Sequence, residues 1–125
     1  MKEIFITKQY LQQHPNEIFV FGDNLIRKGV GGAAVLRYEP NVYGFVTKKK
    51  PTHDNSSYYM AKEYLPVYQA EIKKLVEEIK LHPDKTYLIS KLGAGLANRF
   101  GIFEHVIESN IRKDLDGLPN VKFLW

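Results

Sequence analysis

Two glycine-rich turns occupy equivalent places in the chain and constrain its fold more than any other feature. Gly29-Val30-Gly31-Gly32 follows the apolar run at residues 18–21, and Gly93-Ala94-Gly95 follows the run at 87–90. A helix-like pattern comes after each turn. Glycines between a strand and a helix let backbone N–H groups approach an anion, with the positive end of the helix dipole behind them. The placement predicts an α/β protein that binds phosphate.

Neither turn has the spacing of the established dinucleotide or nucleoside-triphosphate fingerprints. The residues do not fit G-x-G-x-x-G or G-x-x-x-x-G-K-[ST], so the Rossmann and Walker mechanisms are not inferred. A single glycine cluster is also typical of an ordinary turn or helix start. Repetition after two strands favours one shared cleft, because ligands of open parallel sheets bind at the carboxyl ends of the strands.

The composition excludes several classes of function. The chain has 125 residues, 44% of them hydrophobic and 26% charged, which is typical of one globular domain covering residues 1–125. It contains no cysteine, which excludes disulfides, Cys-ligated zinc and thiol nucleophiles. His14, His82 and His105 lack metal-ligand spacing, and we expect no metal and no cofactor.

Charge and hydropathy give expectations about partners and location. The net charge of +4 favours an anionic ligand. No apolar stretch is long enough to span a membrane, and the first residues lack the apolar block of a signal peptide. We therefore expect a cytoplasmic monomer with no membrane partner.

The alternation of strand and helix patterns predicts a three-layer α/β/α domain with a mainly parallel, mixed sheet. The predicted strands cover residues 4–6, 18–21, 42–47, 87–90 and 121–125. The pattern predicts a short helix or turn at residues 8–13. It also predicts helices at 32–38, over a long segment after residue 60, and from 103 to 115. The long helix is predicted to bury Leu65, Tyr68, Ile72, Leu75, Val76 and Ile79. The polar residues 51–59 predict an exposed loop.

The order of these motifs resembles the macrodomain family. The resemblance rests on Thr47-Lys48-Lys49-Lys50-Pro51-Thr52-His53, the long helix, Leu92-Gly93-Ala94-Gly95-Leu96, and the helix around Phe103-Glu104-His105-Val106-Ile107. Gly29 to Ala34 matches the first substrate loop of the branch it most resembles. That branch comprises the terminal ADP-ribose protein glycohydrolases and the ADP-ribose 1''-phosphate phosphatases. The similarity runs from about residue 19 to the end of the chain.

The resemblance implies an ADP-ribose cleft with two walls. The diphosphate would lie against Leu92, Gly93, Ala94, Gly95 and Leu96, with Arg99 beside them. The distal ribose would lie against Asn24, Gly29, Val30, Gly31, Gly32 and Ala33. Asn24 can donate to and accept from a sugar diol, and it is equally suited to closing a turn on its own backbone.

The resemblance also implies a catalytic lysine. In the glycohydrolase relatives the lysine at the position of Lys48 attacks the distal ribose, and Lys49 and Lys50 are cationic neighbours that would lower its pKa. The family's second-loop aspartate is replaced by Ala97. Asp23, Asp54 and His53 are the candidate replacement acids, each of which can also be an ordinary turn or loop residue. The acid that binds adenine in many macrodomains has no counterpart at residues 7–10.

Three functions follow as hypotheses. The first is binding of ADP-ribose or a related nucleotide, with hydrolysis of an ADP-ribosyl ester or phosphate by Lys48. The second is a non-catalytic reader of ADP-ribosylated protein or nucleic acid. The third is a basic nucleic-acid-binding module that uses Arg27, Lys48 to Lys50 and Arg99, with Tyr58 and Tyr59 stacking on bases.

Overall fold

The computed structural model describes residues 3–125 and contains a four-stranded parallel sheet with helices packed on it. The strands are β1 (Glu17–Asn24), β2 (Val42–Lys48), β3 (Thr86–Ile89) and β4 (Val121–Phe123), in the sheet order β2-β1-β3-β4. The α-helices are α1 (Lys8–Gln13), α2 (Ala61–Leu81) and α3 (Ile111–Asp114). Single 3-10 turns lie at Gly32–Ala34, Asn55–Ser57 and Leu96–Asn98, and a π-helical segment at Phe103–Ile107. The predicted α/β class is confirmed.

The sheet itself is entirely parallel rather than mixed. One isolated antiparallel bridge, between Lys48 and Tyr58, lies outside the named strand pairs and joins the end of β2 to the segment that follows it.

The long helix α2 supplies one wall of the main core. Its buried face carries Tyr64, Tyr68, Ile72, Leu75 and Ile79, which cluster with Val20, Phe45 and Ile89 of the sheet. Leu65, predicted on this face, is 43% exposed, because the buried spacing of three and four residues begins at Tyr64. Among residues 3–125 no helix is both long and apolar enough to cross a membrane.

The opposite face of the sheet is covered in part by the segment after the first glycine turn. Phe21 and Leu88 are buried but stand outside the main cluster. Successive strand residues point to opposite faces, which places Phe21 opposite Val20. The Arg37 guanidinium lies 5.5 Å from the centre of the Phe21 ring.

The outer edge of β2 is closed by side chains. The Val46 N–H donates to Glu71 Oε1 at 2.7 Å, and the Val46 carbonyl accepts from Tyr64 Oη at 2.6 Å. The Gly44 carbonyl accepts from Arg27 Nη1 at 3.0 Å. These contacts satisfy backbone groups that an edge strand otherwise leaves unpaired.

The predicted first strand at residues 4–6 is wrong. Ile4 N–H donates to the Leu124 carbonyl at 2.6 Å, but no further ladder forms within residues 3–125 and β4 already ends at Phe123. Ile4 and Phe5 are 51% and 79% exposed. An apolar run without a partner strand to bury it does not become a strand.

The predicted helix at residues 32–38 is also wrong, since only one 3-10 turn forms at Gly32–Ala34. Gly32 has φ +54°, a left-handed conformation that does not fit within an α-helix. The following bonds, Arg37 N–H to Ala34 O and Glu39 N–H to Leu36 O, span three residues rather than four. Little helix dipole therefore stands behind this glycine turn.

The predicted continuous helix from 103 to 115 is divided. The π-helical segment Phe103–Ile107 and the short α3 are separated by residues 108–110. Asn110 Nδ2 donates to the Val106 carbonyl at 2.7 Å, in the place of the backbone N–H that would continue the helix.

Candidate functional site

A cleft of about 430 Å³ opens where β1, β2 and β3 end. Three connections form its walls: residues 25–34 after β1, the segment from residue 49 after β2, and residues 90–97 after β3. The cleft is lined by Gly22, Asp23, Asn24, Lys28, Gly29, Gly31, Gly32, Ala33, Ala34, Thr47, Lys48, Pro51, His53, Ser90, Lys91, Leu92, Gly93, Gly95, Leu96 and Ala97. The structure thus brings both glycine turns, Lys48 and His53 to one cavity.

Most backbone N–H groups of the two glycine turns have no acceptor among residues 3–125; that of Ala94 is the exception and donates to the Lys91 carbonyl at 3.2 Å. Among residues 3–125, no atom accepts a hydrogen bond from the N–H groups of residues 28–33. The same holds, for acceptors in that part of the chain, of Gly93, Gly95, Leu96 and Ala97. Clustered free N–H groups are donors for an anionic ligand.

Three lysines, Lys28, Lys48 and Lys91, line the same cavity. Lys48 Nζ donates to the Thr52 carbonyl at 3.0 Å and lies 4.6 Å from the centre of the Tyr58 ring. Lys91 Nζ lies 5.3 Å from the centre of the Phe103 ring. Because the lining contains one carboxylate, that of Asp23, the charge of the cleft is positive.

Asp23, a candidate catalytic acid, is instead the centre of a buried ion-pair network. Its Oδ1 accepts from Arg37 Nη2 at 2.5 Å and from the Asn24 N–H at 2.8 Å. Its Oδ2 accepts from Arg37 Nη1 at 3.1 Å and from Arg27 Nη1 at 3.2 Å. Both carboxylate oxygens are occupied by guanidinium donors, so this arrangement favours a structural role over proton transfer.

Asn24 closes the turn that leads into the first glycine loop. Its Oδ1 accepts from the N–H groups of Ile26 and Arg27, and its Nδ2 donates to the Lys28 carbonyl at 2.9 Å. Arg27 has φ +61°, a left-handed conformation that these bonds support. The Asn24 side chain is buried, and its amide groups are hydrogen-bonded to the backbone of the loop, as expected of a turn-closing residue.

The lysine cluster at residues 48–50 is divided among different partners. Lys49 Nζ pairs with Glu63 Oε1 at 2.5 Å, and Lys50 Nζ lies 3.8 Å from Asp54 Oδ2. The charges of Lys49 and Lys50 are therefore offset by carboxylates. Tyr58 and Tyr59 are only 2% and 6% exposed, so neither ring is available to stack on a nucleic-acid base.

The segment after β2 is held against the second glycine loop. Arg99 Nη1 donates to the His53 carbonyl at 2.9 Å and to Asn55 Oδ1 at 3.0 Å, and its Cζ lies 4.2 Å from the Tyr58 ring centre. His53 Nδ1 lies 3.2 Å from Tyr58 Oη. The predicted exposed loop at 51–59 is therefore buried at its end, through Ser57, Tyr58 and Tyr59.

Asp54, another candidate acid, is exposed and outside the cleft lining. Hydrogen bonds from the hydroxyls of Ser56, Thr52 and Ser57 hold the pKa of its carboxyl well below the usual range. An acid with a lowered pKa is ionised at neutral pH and a poor proton donor.

Three predicted ligand-binding residues, Val30, Ala94 and Arg99, do not line the cleft. Ala94 packs against the main core, and Arg99 is engaged with the segment after β2 as described above. The lining residues that the site prediction missed include Gly22, Thr47, Pro51 and Ser90. Thr47 and Ser90 lie at the carboxyl ends of β2 and β3. The predicted ends of these strands could therefore have indicated both residues as part of the site.

Two glycines of the second loop differ in the space that surrounds them. Gly93 has φ +79°, and a Cβ there would lie 2.6 Å from Ile107 Cδ1. A Cβ at Gly95 would have no atom within 4 Å. Gly31 of the first loop is equally open.

The fold and the cleft define an α/β protein with a positively charged cavity at the carboxyl edge of a parallel sheet. The chain belongs to the family described as "Family of unknown function (DUF7831)", whose model matches residues 1–98. The match includes both glycine turns, Lys48 and α2. No curated protein and no solved structure matches the chain.

Proposed function

We propose that the cleft binds ADP-ribose or a related nucleotide diphosphate. The observation that carries the proposal is the set of unpartnered N–H groups on both glycine loops, beside Lys28, Lys48 and Lys91. A diphosphate needs several donors and nearby cations, and backbone N–H groups supply donors without the entropy cost of ordering long side chains. The macrodomain resemblance supports ADP-ribose as the form of the nucleotide.

The size and lining of the cleft support a nucleotide rather than a bare phosphate. A volume of about 430 Å³ lies within the range of about 300–1,000 Å³ typical of small-molecule sites. Ala33, Ala34, Pro51 and Leu92 add apolar surface to the wall. Such surface suits the faces of a sugar or a base, which orient the ligand while the N–H groups hold its charge.

Calorimetric titration with ADP-ribose, AMP and inorganic pyrophosphate tests the proposed binding. We expect heat of binding and a raised melting temperature with ADP-ribose, because a ligand that binds only the folded state stabilises it. Pyrophosphate should bind more weakly, since it lacks the groups that would contact the apolar wall. The proposal fails if millimolar ADP-ribose produces neither heat nor a thermal shift.

We also propose that Lys48 is the nucleophile in hydrolysis of an ADP-ribosyl bond. The neutral amine forms a bond to the anomeric carbon of the distal ribose as the bond to the leaving group breaks and that group takes up a proton, and water then releases ADP-ribose from Lys48. Lys48 is the cleft-lining amine at the position implied by the resemblance. The competing function is a non-catalytic reader, which is favoured by the engagement of Asp23 with Arg37 and Arg27. Of the other two candidate acids, His53 lines the cleft and Asp54 does not, so we assign the acid or base role in turnover to His53.

Turnover assays separate these two functions. We expect Lys48→Ala to bind ADP-ribose within about fivefold of wild type and to lose release of ADP-ribose from ADP-ribosylated protein or oligonucleotide. Lys50→Ala is the matched control, because Lys50 does not line the cleft. Binding without any release by the wild-type protein would identify a reader instead.

A further inference from the structure

The side chain of Arg37 donates hydrogen bonds to two carbonyls on one side of the first glycine loop. Its Nε donates to the Gly29 carbonyl at 2.6 Å, and its Nη2 donates to the Lys28 carbonyl at 3.1 Å. The other side of the guanidinium pairs with both oxygens of Asp23. The Arg37 side chain is only 8% exposed, although the loop it holds lies at the surface.

The two carbonyl contacts determine where the neighbouring N–H groups point. The described chain contains no cis peptide bond, and in a trans peptide the C=O and N–H groups point in opposite directions. With the carbonyls of Lys28 and Gly29 turned toward Arg37, the N–H groups of Gly29 and Val30 are turned away from it. Two successive N–H groups on one side of a loop form a concave anion site.

We infer that Arg37 is a positioning residue that fixes these two N–H groups for the ligand's anionic group. The inference rests on the proposed function and assigns a part of it to the first loop. Val30 itself is outside the cleft lining, but Gly29 and Gly31, on either side of it, line the cleft. Without the guanidinium, the carbonyl of the left-handed Gly29, at φ +95°, has no donor among residues 3–125, and the Lys28 carbonyl keeps only Asn24 Nδ2.

Asp23 and Asn24 support the contact between Arg37 and the first glycine loop. Asp23 orients the guanidinium through two oxygens, a geometry that arginine forms and lysine cannot. Asn24 Nδ2 shares the Lys28 carbonyl with Arg37 Nη2. The carboxylate that the sequence offered as a catalytic acid thus acts on the ligand through Arg37 and the loop.

Arg37→Lys and Arg27→Lys form a matched pair of variants for the test. Both arginines donate to Asp23. The other acceptor of Arg27 is the Gly44 carbonyl, whereas Arg37 donates to the carbonyls of Lys28 and Gly29. Titration with ADP-ribose and with inorganic pyrophosphate, followed by amide NMR, gives affinity and the identity of the responding N–H groups. Asp23→Asn is a further variant, which weakens the hold on the guanidinium without reducing side-chain volume.

The wild-type protein should show ligand-induced shifts at Gly29, Val30, Gly93 and Gly95. In Arg37→Lys we expect at least tenfold weaker ADP-ribose binding and loss of the Gly29 and Val30 shifts, with the second-loop shifts retained. Asp23→Asn should also weaken ADP-ribose binding and reduce the Gly29 and Val30 shifts. This variant tests the inference if Arg37→Lys does not fold. Arg27→Lys should stay within about threefold of wild type.

Backbone order parameters of the ligand-free proteins separate this inference from the proposed function. The order parameters of residues 28–30 should be about 0.85 in wild type, which is typical of a rigid backbone, and should fall below about 0.6 in Arg37→Lys. Unchanged order and unchanged Gly29 and Val30 shifts in Arg37→Lys would overturn the positioning role. If the loop loses order but wild type binds neither ADP-ribose nor pyrophosphate, the proposed function fails while Arg37 still orders the loop.

Discussion

At the scale of single residues, the glycines of the cleft have different physical roles. Gly93 is required by its left-handed φ and by the closeness of Ile107, whereas Gly31 has φ −82° and open space beside it. The first kind of glycine shapes the wall, and the second leaves volume for a ligand. Substitution distinguishes the two roles.

A side chain at Gly31 should block the ligand without harming the fold. We expect Gly31→Val to leave the free energy of unfolding within about 0.5 kcal/mol, because its φ is accessible to any residue. ADP-ribose affinity should fall at least tenfold, with Gly31→Ala intermediate, as measured by calorimetry. Ala70→Val, at an exposed position of α2, is the control. Unchanged affinity of Gly31→Val would show that the ligand does not approach this residue.

A side chain at Gly93 should harm the fold. Gly93→Ala combines an unfavourable φ with a contact on the buried Ile107 side chain, and we expect a loss of about 1–3 kcal/mol in denaturant unfolding. Ile107→Val removes the contacting Cδ1. If steric overlap contributes, Gly93→Ala should cost less in the Ile107→Val background than in wild type. An equal cost in both would assign the loss to the backbone conformation alone.

At the scale of elements, the sequence predicts those parts whose signals are local. The strands near residues 18–21, 42–47 and 87–90 and the helix α2 are found near the predicted bounds, because each has a hydrophobic pattern with its own end signals. The helix α1 has few apolar residues, and it is found at the predicted residues 8–13. The glycine turns meet at one edge because parallel strands align their carboxyl ends.

The missed features depend on particular side-chain contacts that no hydrophobic pattern indicates. Arg37 and Asp23 are fourteen residues apart, and nothing in the local pattern of either indicates their pairing. The division of the helix after residue 103 depends on how one side chain, Asn110, bonds the carbonyl of Val106. The burial of Tyr58 depends on Lys48 and Arg99, whose cationic groups both lie against its ring.

The contact between α2 and the edge of β2 also belongs to this scale. Glu71→Ala leaves the buried Val46 N–H without its acceptor, so we expect a loss of about 1–3 kcal/mol in denaturant unfolding. Glu77→Ala, at an exposed position on the same helix, should change stability by less than about 0.5 kcal/mol. Equal effects of the two variants would contradict this role of Glu71.

At the scale of the whole molecule, buried tyrosines link stability to alkaline pH. Burial raises the pKa of Tyr64, Tyr68 and Tyr87, with further contributions from Asp114 at Tyr68 and from Glu78 at Tyr87. In the unfolded chain these phenols ionise near pH 10. Because the folded pKa is raised, their stabilising contribution is complete below about pH 10 and is lost as the pH rises further toward the folded pKa.

Unfolding measured between pH 8.5 and 11.5 tests this dependence. We expect the free energy of unfolding to decline above about pH 10, by about 1.4 kcal/mol per pH unit for each tyrosine that ionises only on unfolding. Tyr87→Phe should reduce the slope by one such contribution. A stability that stays constant from pH 10 to 11.5 would contradict the expectation.

The closed edge of β2 has a consequence for how the protein behaves at high concentration. Sheets recruit further chains through unpaired edge groups, and at Gly44 and Val46 those groups are held by Arg27, Glu71 and Tyr64. An approaching strand must break these bonds before it can form its own. Fibril growth from this side of the sheet is therefore opposed by a kinetic barrier that Glu71→Ala would lower, so this variant should aggregate faster than Glu77→Ala at equal concentration.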